Sequence, residues 1–199
     1  MTDDISLDDA GAAVLRHRTA NTFQLMSALA RMRSQRAGEP EARRQLVWMA
    51  DAIGSLGALE RHRRVGGVDF CAYLDEMIPV WRRRAGEGRA EIALEVDPIM
   101  APDQAASTLA LIVHELVANA LTHGYDDSRG GVVRIRLSSG EAGRYELAVI
   151  DDGHGFDPGS PAARERFGLW FVRSLAAQVR GEFKLETQPG VTARLVFSL

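Results

Sequence analysis

Small or apolar residues recur in the first part of the chain at Leu7, Ala10, Val14, Asn21, Leu25, Ala28, Leu29 and Met32, close to a seven-residue rhythm. The series predicts one long helix from Leu7 to about Ala37, a length of about 46 Å at the helical rise. Gly38 stops it, Pro40 suits the first turn of the next helix, and Leu46, Met49, Ile53, Leu56 and Leu59 mark that helix's apolar face. The short connection makes the two helices antiparallel neighbours. Val14, Leu25, Met32, Leu46, Ile53 and Leu56 then form a stripe with little to cover it, and a second copy would close a four-helix bundle. A homodimer is expected.

After Gly66-Gly67 the pattern changes to mixed helix and strand. Helical spacing covers Phe70 to Arg84, and Glu91 to Val96 alternates as a strand that Asp97-Pro98 ends. A long helix runs from Asp103 to about His123, followed by a strand pair, Val132 to Leu137 and Tyr145 to Ile150. A glycine-rich loop, Asp151 to Gly155, precedes a helix from Gly168 to Val179, and strands near Glu182 to Glu186 and Ala193 to Phe197 close the chain. The fold class is α+β, with an antiparallel helical hairpin in residues 1–67 and helices on one face of a mixed sheet in residues 68–199.

With 199 residues, 46% apolar and 26% charged, the chain suits one large globular domain or two small ones and is neither disordered nor fibrous. The net charge of −3, with Lys184 as the single lysine, gives no nucleic-acid footprint. The longest apolar runs are broken well before the roughly 18 to 20 residues that a bilayer helix needs, so no membrane insertion is expected. Asp3, Asp4, Asp8 and Asp9 are the opposite of a secretory start, and the default compartment is the cytoplasm. Cys71, in an amphipathic stretch, reads as a small core hydrophobe.

Three segments carry polar residues that core-and-surface patterning does not require. On the long helix, within His114, Glu115, Asn119, Thr122 and His123, the residues Glu115, Asn119 and Thr122 share one face. A carboxylate and a carboxamide one turn apart offer oxygen ligands to a hard cation such as Mg²⁺, and equally make an ordinary solvated stripe. The loop Asp151-Asp152-Gly153-His154-Gly155 follows an apolar strand: its glycines permit close backbone approach, and its first carboxylate can accept from an exocyclic amine such as that of adenine. An ordinary Asp/Gly turn has the same composition. Phe167-Gly168-Leu169 opens a helix whose free N–H groups suit phosphate.

Taken in order, the Glu/Asn helix, strand pair, D-x-G-x-G loop and Gly-Leu helix start resemble the N, G1 and G2 boxes of the GHKL, or Bergerat-fold, ATP-binding domain, from about Val68 to Leu199 with Gln188-Pro189-Gly190 included. The resemblance implies that Asn119 holds Mg²⁺, that Asp151 reads the adenine amine, that Gly153, Gly155 and Gly168 shape the ATP pocket, and that Phe156 to Phe167 is a lid. His17-Arg18 followed by Asn21 resembles the phosphoacceptor box of sensor histidine kinases of the HWE-related type, and His114 before Glu115 matches that type too. His17 and Glu115 are then the catalytic residues. The expected reaction moves the ATP γ-phosphoryl group to His17 and on to the aspartate of a response-regulator receiver domain. With about 16 residues ahead of His17, too few for a folded sensor, the input is expected to come from a partner such as a separate sensor protein, or the protein acts as a relay.

The chain departs from the pattern in four places. The Trp-x-Glu of the HWE group is missing near Asp151, Thr122 replaces a lysine, Arg166 with Arg164 nearby replaces a glycine, and Arg18 replaces an acidic residue. Arg166 can restore charge on the phosphate side through its planar fork. His62, His154, Arg61, Arg63 and Arg64 read as ordinary surface residues. Two rival readings share the architecture: a histidine phosphotransfer protein that has lost ATP binding, and a non-catalytic regulator that holds a partner.

Overall fold

The computed structural model describes residues 4–85, 90–125, 130–157, 167–187 and 189–199. Helix α1 (Asp4–Arg36) and helix α2 (Pro40–Arg61) form the antiparallel hairpin, with Pro40 in the first turn of α2. Their seam is made of small residues, and the apolar stripe lies outside it. Ala20, Ser27, Ser34 and Ala50 are buried between them, Ser27 Oγ donates to the Ala50 carbonyl at 2.7 Å, and a Cβ at Gly57 would lie 3.2 Å from Phe23 Cβ. Small residues let the backbones approach, so the large side chains turn outward: Leu25 is 63% exposed and Met32 59%. An ion pair, Arg31 to Asp51 at 2.6 Å, adds a fixed register.

Strand β1 (Arg63–Arg64), strand β2 (Gly67–Asp69) and strand β4 (Met100–Ala101) make a small antiparallel sheet at the base of the hairpin. The Gly66-Gly67 pair, where the sequence pattern changes, is the turn between β1 and β2, with φ of +90° and +144°. A Cβ on Gly67 would fall 2.5 Å from the Ala101 carbonyl oxygen, so only glycine fits. Arg63 pairs with Glu60 at 2.7 Å and with Asp103. The passage from hairpin to sheet is therefore structured.

The main sheet has the order β3 (Ala90–Val96), β5 (Gly131–Ser139), β6 (Arg144–Asp151), β8 (Val191–Ser198) and β7 (Glu182–Glu186). β3 and β5 are parallel and the other neighbours antiparallel. Alternation decides the faces. Val133, Ile135, Leu137, Leu147, Val149, Ala193, Leu195 and Phe197 are buried, with Leu147 paired to both Leu137 and Leu195. The opposite face carries Arg134 and Arg136 on Glu95, and Arg194 on Glu146, exposed pairs worth at most about 1 kcal/mol each.

Helix α3 (Phe70–Ala85), helix α4 (Asp103–His123) and helix α5 (Phe167–Gln178) cover the apolar face. Leu109, Ile112, Val113 and Val117 of α4 meet Tyr73, Leu74 and Trp81 of α3 in one core. Burying each such side chain contributes about 1.5–3 kcal/mol. α4 is also the one helix among the described residues long and apolar enough to cross a membrane by length and composition, which the run-length reading passed over; here it is mostly buried inside the core. Leu59 and Ala58 of α2 join the same core, so the second domain covers the C-terminal end of the α2 apolar face. Cys71 is half-buried rather than core, and its thiol donates to the Asp97 carbonyl at 2.9 Å.

Candidate functional site

A cleft opens between α4, the β6 terminus, α5 and the β7–β8 edge. Its walls are apolar (Leu116, Val149, Leu169, Leu185, Val191, Ala193) and its polar groups few, chiefly Asn119, Asp151, His123 and His154. Asn119, Asp151 and Gly155 are thus brought together as expected. Thr122 is exposed and not part of the lining; His123 takes the third place, one turn beyond Asn119.

Asp151 ends β6 and is 5% exposed. Its Oδ1 accepts from the Gly153 N–H at 3.0 Å and the Val191 N–H at 3.3 Å, so both backbone bonds fall on one oxygen and leave Oδ2 outside the pair. Burial pushes this carboxyl above the usual carboxylate range, against the pull of those two N–H groups. A buried acceptor at the wall of an apolar cleft suits an amine on a flat heterocycle. The neighbouring Asp152 instead pins the loop, its Oδ1 accepting from Val132 N–H at 2.8 Å and Tyr125 Oη–H at 3.0 Å.

Glycines make the cleft possible. A Cβ on Gly155 (φ +68°) would lie 2.1 Å from the Thr187 carbonyl oxygen, and one on Gly190 (φ +69°) 2.1 Å from the Asp151 carbonyl oxygen. Gly153 packs the same way on Gly124, a residue the sequence reading did not single out. Gly155→Ala therefore sets both a left-handed backbone and a carbonyl against the new methyl, and is expected to cost about 1–3 kcal/mol of stability. A melting temperature equal to wild type would contradict this close approach.

Glu115 is almost fully buried, at 5% exposure. Oε1 accepts from Asn119 Nδ2 at 3.0 Å and Oε2 from Trp48 Nε1 of α2 at 2.5 Å. A Cβ on Gly168, at the start of α5, would fall 1.8 Å from Oε1, so this glycine lets α5 close over the carboxylate. Trp48 is absent from the sequence reading because its partner lies 67 residues away. His114 faces the other way, accepting from Trp81 Nε1 at Nδ1 (3.2 Å) inside the core. Arg166, Arg164 and residues 158–166 of the expected lid lie outside the described residues.

His17 is not brought to the cleft. It sits exposed on α1 with Asn21 Nδ2 3.2 Å from its Nδ1, beside a hollow lined by Arg16, Gln24, Glu60, Arg61 and Arg64. Arg61 is not a bare surface cation, since it pairs with Glu76, which also contacts His62 Nε2 at 2.6 Å. His154 is likewise more than a variable loop residue: it lines the cleft and its Nδ1 meets the Gly155 carbonyl at 2.7 Å.

The residues fit a Mg²⁺-bound nucleotide. The flat apolar walls, the buried acceptor Asp151 and the glycine cradle suit a purine, and Asn119 offers Oδ1 while its Nδ2 is committed to Glu115. Among the described residues no three His, Cys, Asp or Glu side chains converge on an ion, so a cation here would depend on phosphate oxygens and water as well.

Comparison with known proteins agrees with this geometry. Residues 84–197 match the family model described as histidine kinase-like ATPase domain. Blue-light-activated histidine kinase 2 of Erythrobacter litoralis is 27% identical over 189 residues, 89% of this chain and 53% of its own length. Sensor histidine kinase PdtaS of Mycobacterium tuberculosis is 30% identical over 176 residues, 85% of this chain and 35% of its own. An anti-sigma F factor of Priestia megaterium is 35% identical over 68 residues, 34% of this chain and 44% of its own. The chain thus spans about half the length, or less, of these relatives. Among solved structures, the histidine kinase domain of Erythrobacter litoralis EL346 superposes with a TM-score of 0.73 at 22% identity over 94% of both chains, which shows a shared fold. The ATPase family implies ATP binding, and on the strength of the match over most of the sheet domain, the chain belongs to the histidine kinase-like ATPase domain family.

Proposed function

We propose that the protein is the core of a protein-histidine kinase in a two-component system: residues 68–199 bind Mg-ATP, and residues 1–67 carry the phosphoacceptor His17. The observation that carries this reading is the buried Asp151 acceptor in a glycine-cradled cleft, on a chain whose hairpin bears an exposed histidine among arginines. In the reaction, His17 Nε2 attacks the γ-phosphorus, the bond to the bridging oxygen breaks, ADP leaves, and the imidazole loses its proton. The carboxylate of a receiver aspartate then takes the phosphoryl group from His17.

The chain's own residues supply position and charge, which is most of what phosphoryl transfer requires. Asp151 orients the base, Asn119 Oδ1 would ligate Mg²⁺, and the cation would neutralise charge on the phosphates. Arg16, Arg61 and Arg64 give an electropositive surround to the phosphorylated histidine and to an incoming receiver. Nε2 attacks only with its lone pair free, which requires the proton on Nδ1; a half-turn of the Asn21 amide puts Oδ1 there as its acceptor. Calorimetry with Mg-ATP, followed by an acid-lability test of label on His17, checks both halves. The distance between His17 and the cleft favours a second reading, a phosphotransfer protein charged by a phosphorylated receiver, for which label would come from the receiver alone.

We further infer a homodimer held through the outward face of the hairpin, where Val14, Leu25, Leu29 and Met32 are more than half exposed. Light scattering at tens of micromolar is expected to give twice the chain mass of 21.8 kDa. A monomer at that concentration would contradict the four-helix bundle.

A further inference from the structure

Glu115 is buried yet is not on the wall of the cleft, so what it contributes to a ligand there passes through a neighbour. Among the described residues its hydrogen-bond partners are two donors. Asn119, which does line the cleft, gives an Nδ2–H to Oε1 at 3.0 Å, and Trp48 of α2 gives its indole N–H to Oε2 at 2.5 Å. Both are held in place. α2 is fixed to the sheet domain by Ala58 and Leu59 in the common core and by the Arg61–Glu76 pair at its end. The Trp48 ring stands edge-on to Phe171 of α5, with centroids 5.2 Å apart and planes at 84°. The start of α5 closes the remaining side, where a Cβ on Gly168 would fall 1.8 Å from Oε1 and 3.3 Å from Asn119 Nδ2.

The three groups differ in what they can exchange. An indole N–H only donates, a carboxylate only accepts, and a carboxamide donates with its nitrogen and accepts with its oxygen. Trp48 and Glu115 therefore leave Asn119 one arrangement, with its nitrogen turned to Oε1 and its oxygen left for the cleft. An unanchored asparagine has no such preference, because rotation about one soft torsion exchanges its two ends. We propose that Glu115, braced from the hairpin by Trp48, is a positioning residue that sets the polarity of the Asn119 amide and keeps Oδ1 available to the cation of a bound Mg-nucleotide. The consequence for binding rests on the nucleotide reading above, whereas the order of the hydrogen bonds is a property of the chain alone. An indole of the helical hairpin thereby supports a site in the sheet domain.

Glu115→Gln tests this order, because it replaces two acceptors by one acceptor and one donor at nearly the same volume. The Trp48 N–H can meet only the glutamine oxygen, so the glutamine NH₂ faces Asn119, whose amide must turn over and withdraw Oδ1 from the cleft. Adding Trp48→Phe deletes the indole donor, frees the glutamine to turn its oxygen to Asn119, and so restores what the first substitution cost. Calorimetry with a non-hydrolysable ATP analogue, in EDTA and in excess Mg²⁺, reads the gain in affinity that the cation brings. That gain is expected to fall about 10-fold in Glu115→Gln and about threefold at most in Trp48→Phe, and to return to within about threefold of the Trp48→Phe value in the double variant. Two merely structural defects would add, leaving the double variant the worst of the three. The second measurement needs neither metal nor activity. In nitrogen-edited NMR of the nucleotide-free chain, the Asn119 side-chain amide protons should exchange with water slowly in wild type and in the double variant, and rapidly in Glu115→Gln. If Glu115→Gln does not fold, the wild-type exchange rate alone decides whether the nitrogen is held inward. Fast exchange in wild type, an unchanged gain in Glu115→Gln, or a double variant no better than Glu115→Gln would overturn the assignment. If wild type shows no cation-dependent gain, the nucleotide reading fails, and the exchange rates still decide the order of the hydrogen bonds.

Discussion

Asp151→Asn is expected to weaken Mg-ATP binding about 10- to 100-fold, the equivalent of about 1.5–3 kcal/mol for a charge-assisted contact. Oδ1 of Asp151 is fixed by two backbone donors, Gly153 N–H and Val191 N–H. An asparagine must keep its carbonyl oxygen there, because turning its NH₂ toward two N–H groups would leave three donors facing one another. The amide nitrogen is then forced into the Oδ2 place, where it meets the exocyclic amine of the base donor to donor.

The same substitution should not damage the fold. Burial raises the Asp151 pKa in the folded chain, so the charged form is disfavoured by folding. Between the unfolded and the raised folded pKa the native state holds more protons, and stability falls as pH rises through that window. Above the raised folded pKa the cost is fully present, and Asn removes it. Asp151→Asn is therefore expected to melt at or above the wild-type temperature while binding nucleotide poorly. Calorimetric affinities equal in the two proteins would contradict the adenine-reading role, and a collapse in melting temperature would contradict the account of the buried charge.

Much of the sheet domain could be read from the chain because its elements are long and regular. α4 and strands β5, β6 and β8 each repeat their buried positions often enough for period alone to place them. β1, β2 and β4 span two or three residues, too few for any period, and their presence at the hairpin base follows only from tertiary pairing. The hairpin seam escaped for a different reason. Ala20, Ser27, Ala50 and Gly57 pack by being small, and small residues give no hydrophobic signal, whereas Leu25 and Met32 give a strong one and lie outside.

The site divides in the same way. Asn119, Asp151, Gly153, Gly155 and Gly168 belong to local segments whose order along the chain carries the information. Gly168 needs to be glycine because of Glu115, and Glu115 is held by Trp48; both facts are contacts between distant segments. Thr122 follows the helical face by spacing, yet α4 ends one residue later, at His123, and it is His123 that turns into the cleft. A departure at Thr122 accordingly removes no group from the cleft lining.

The largest expected effect is at His17, because no other histidine combines exposure on a helix with an arginine-lined hollow. His62 is engaged by Glu76, His114 is buried against Trp81, and His123 and His154 line the nucleotide cleft. Phosphohistidine is a phosphoramidate, lost in acid and kept in alkali, unlike a serine or threonine ester. The most direct measurement is to incubate the protein and its His17→Ala variant with γ-labelled Mg-ATP, with and without a labelled receiver domain, and to follow the label through acid and alkali. The account predicts acid-labile, alkali-stable label from ATP on the protein and none on His17→Ala; label that persists on His17→Ala, or that reaches His17 only from the receiver, would contradict it.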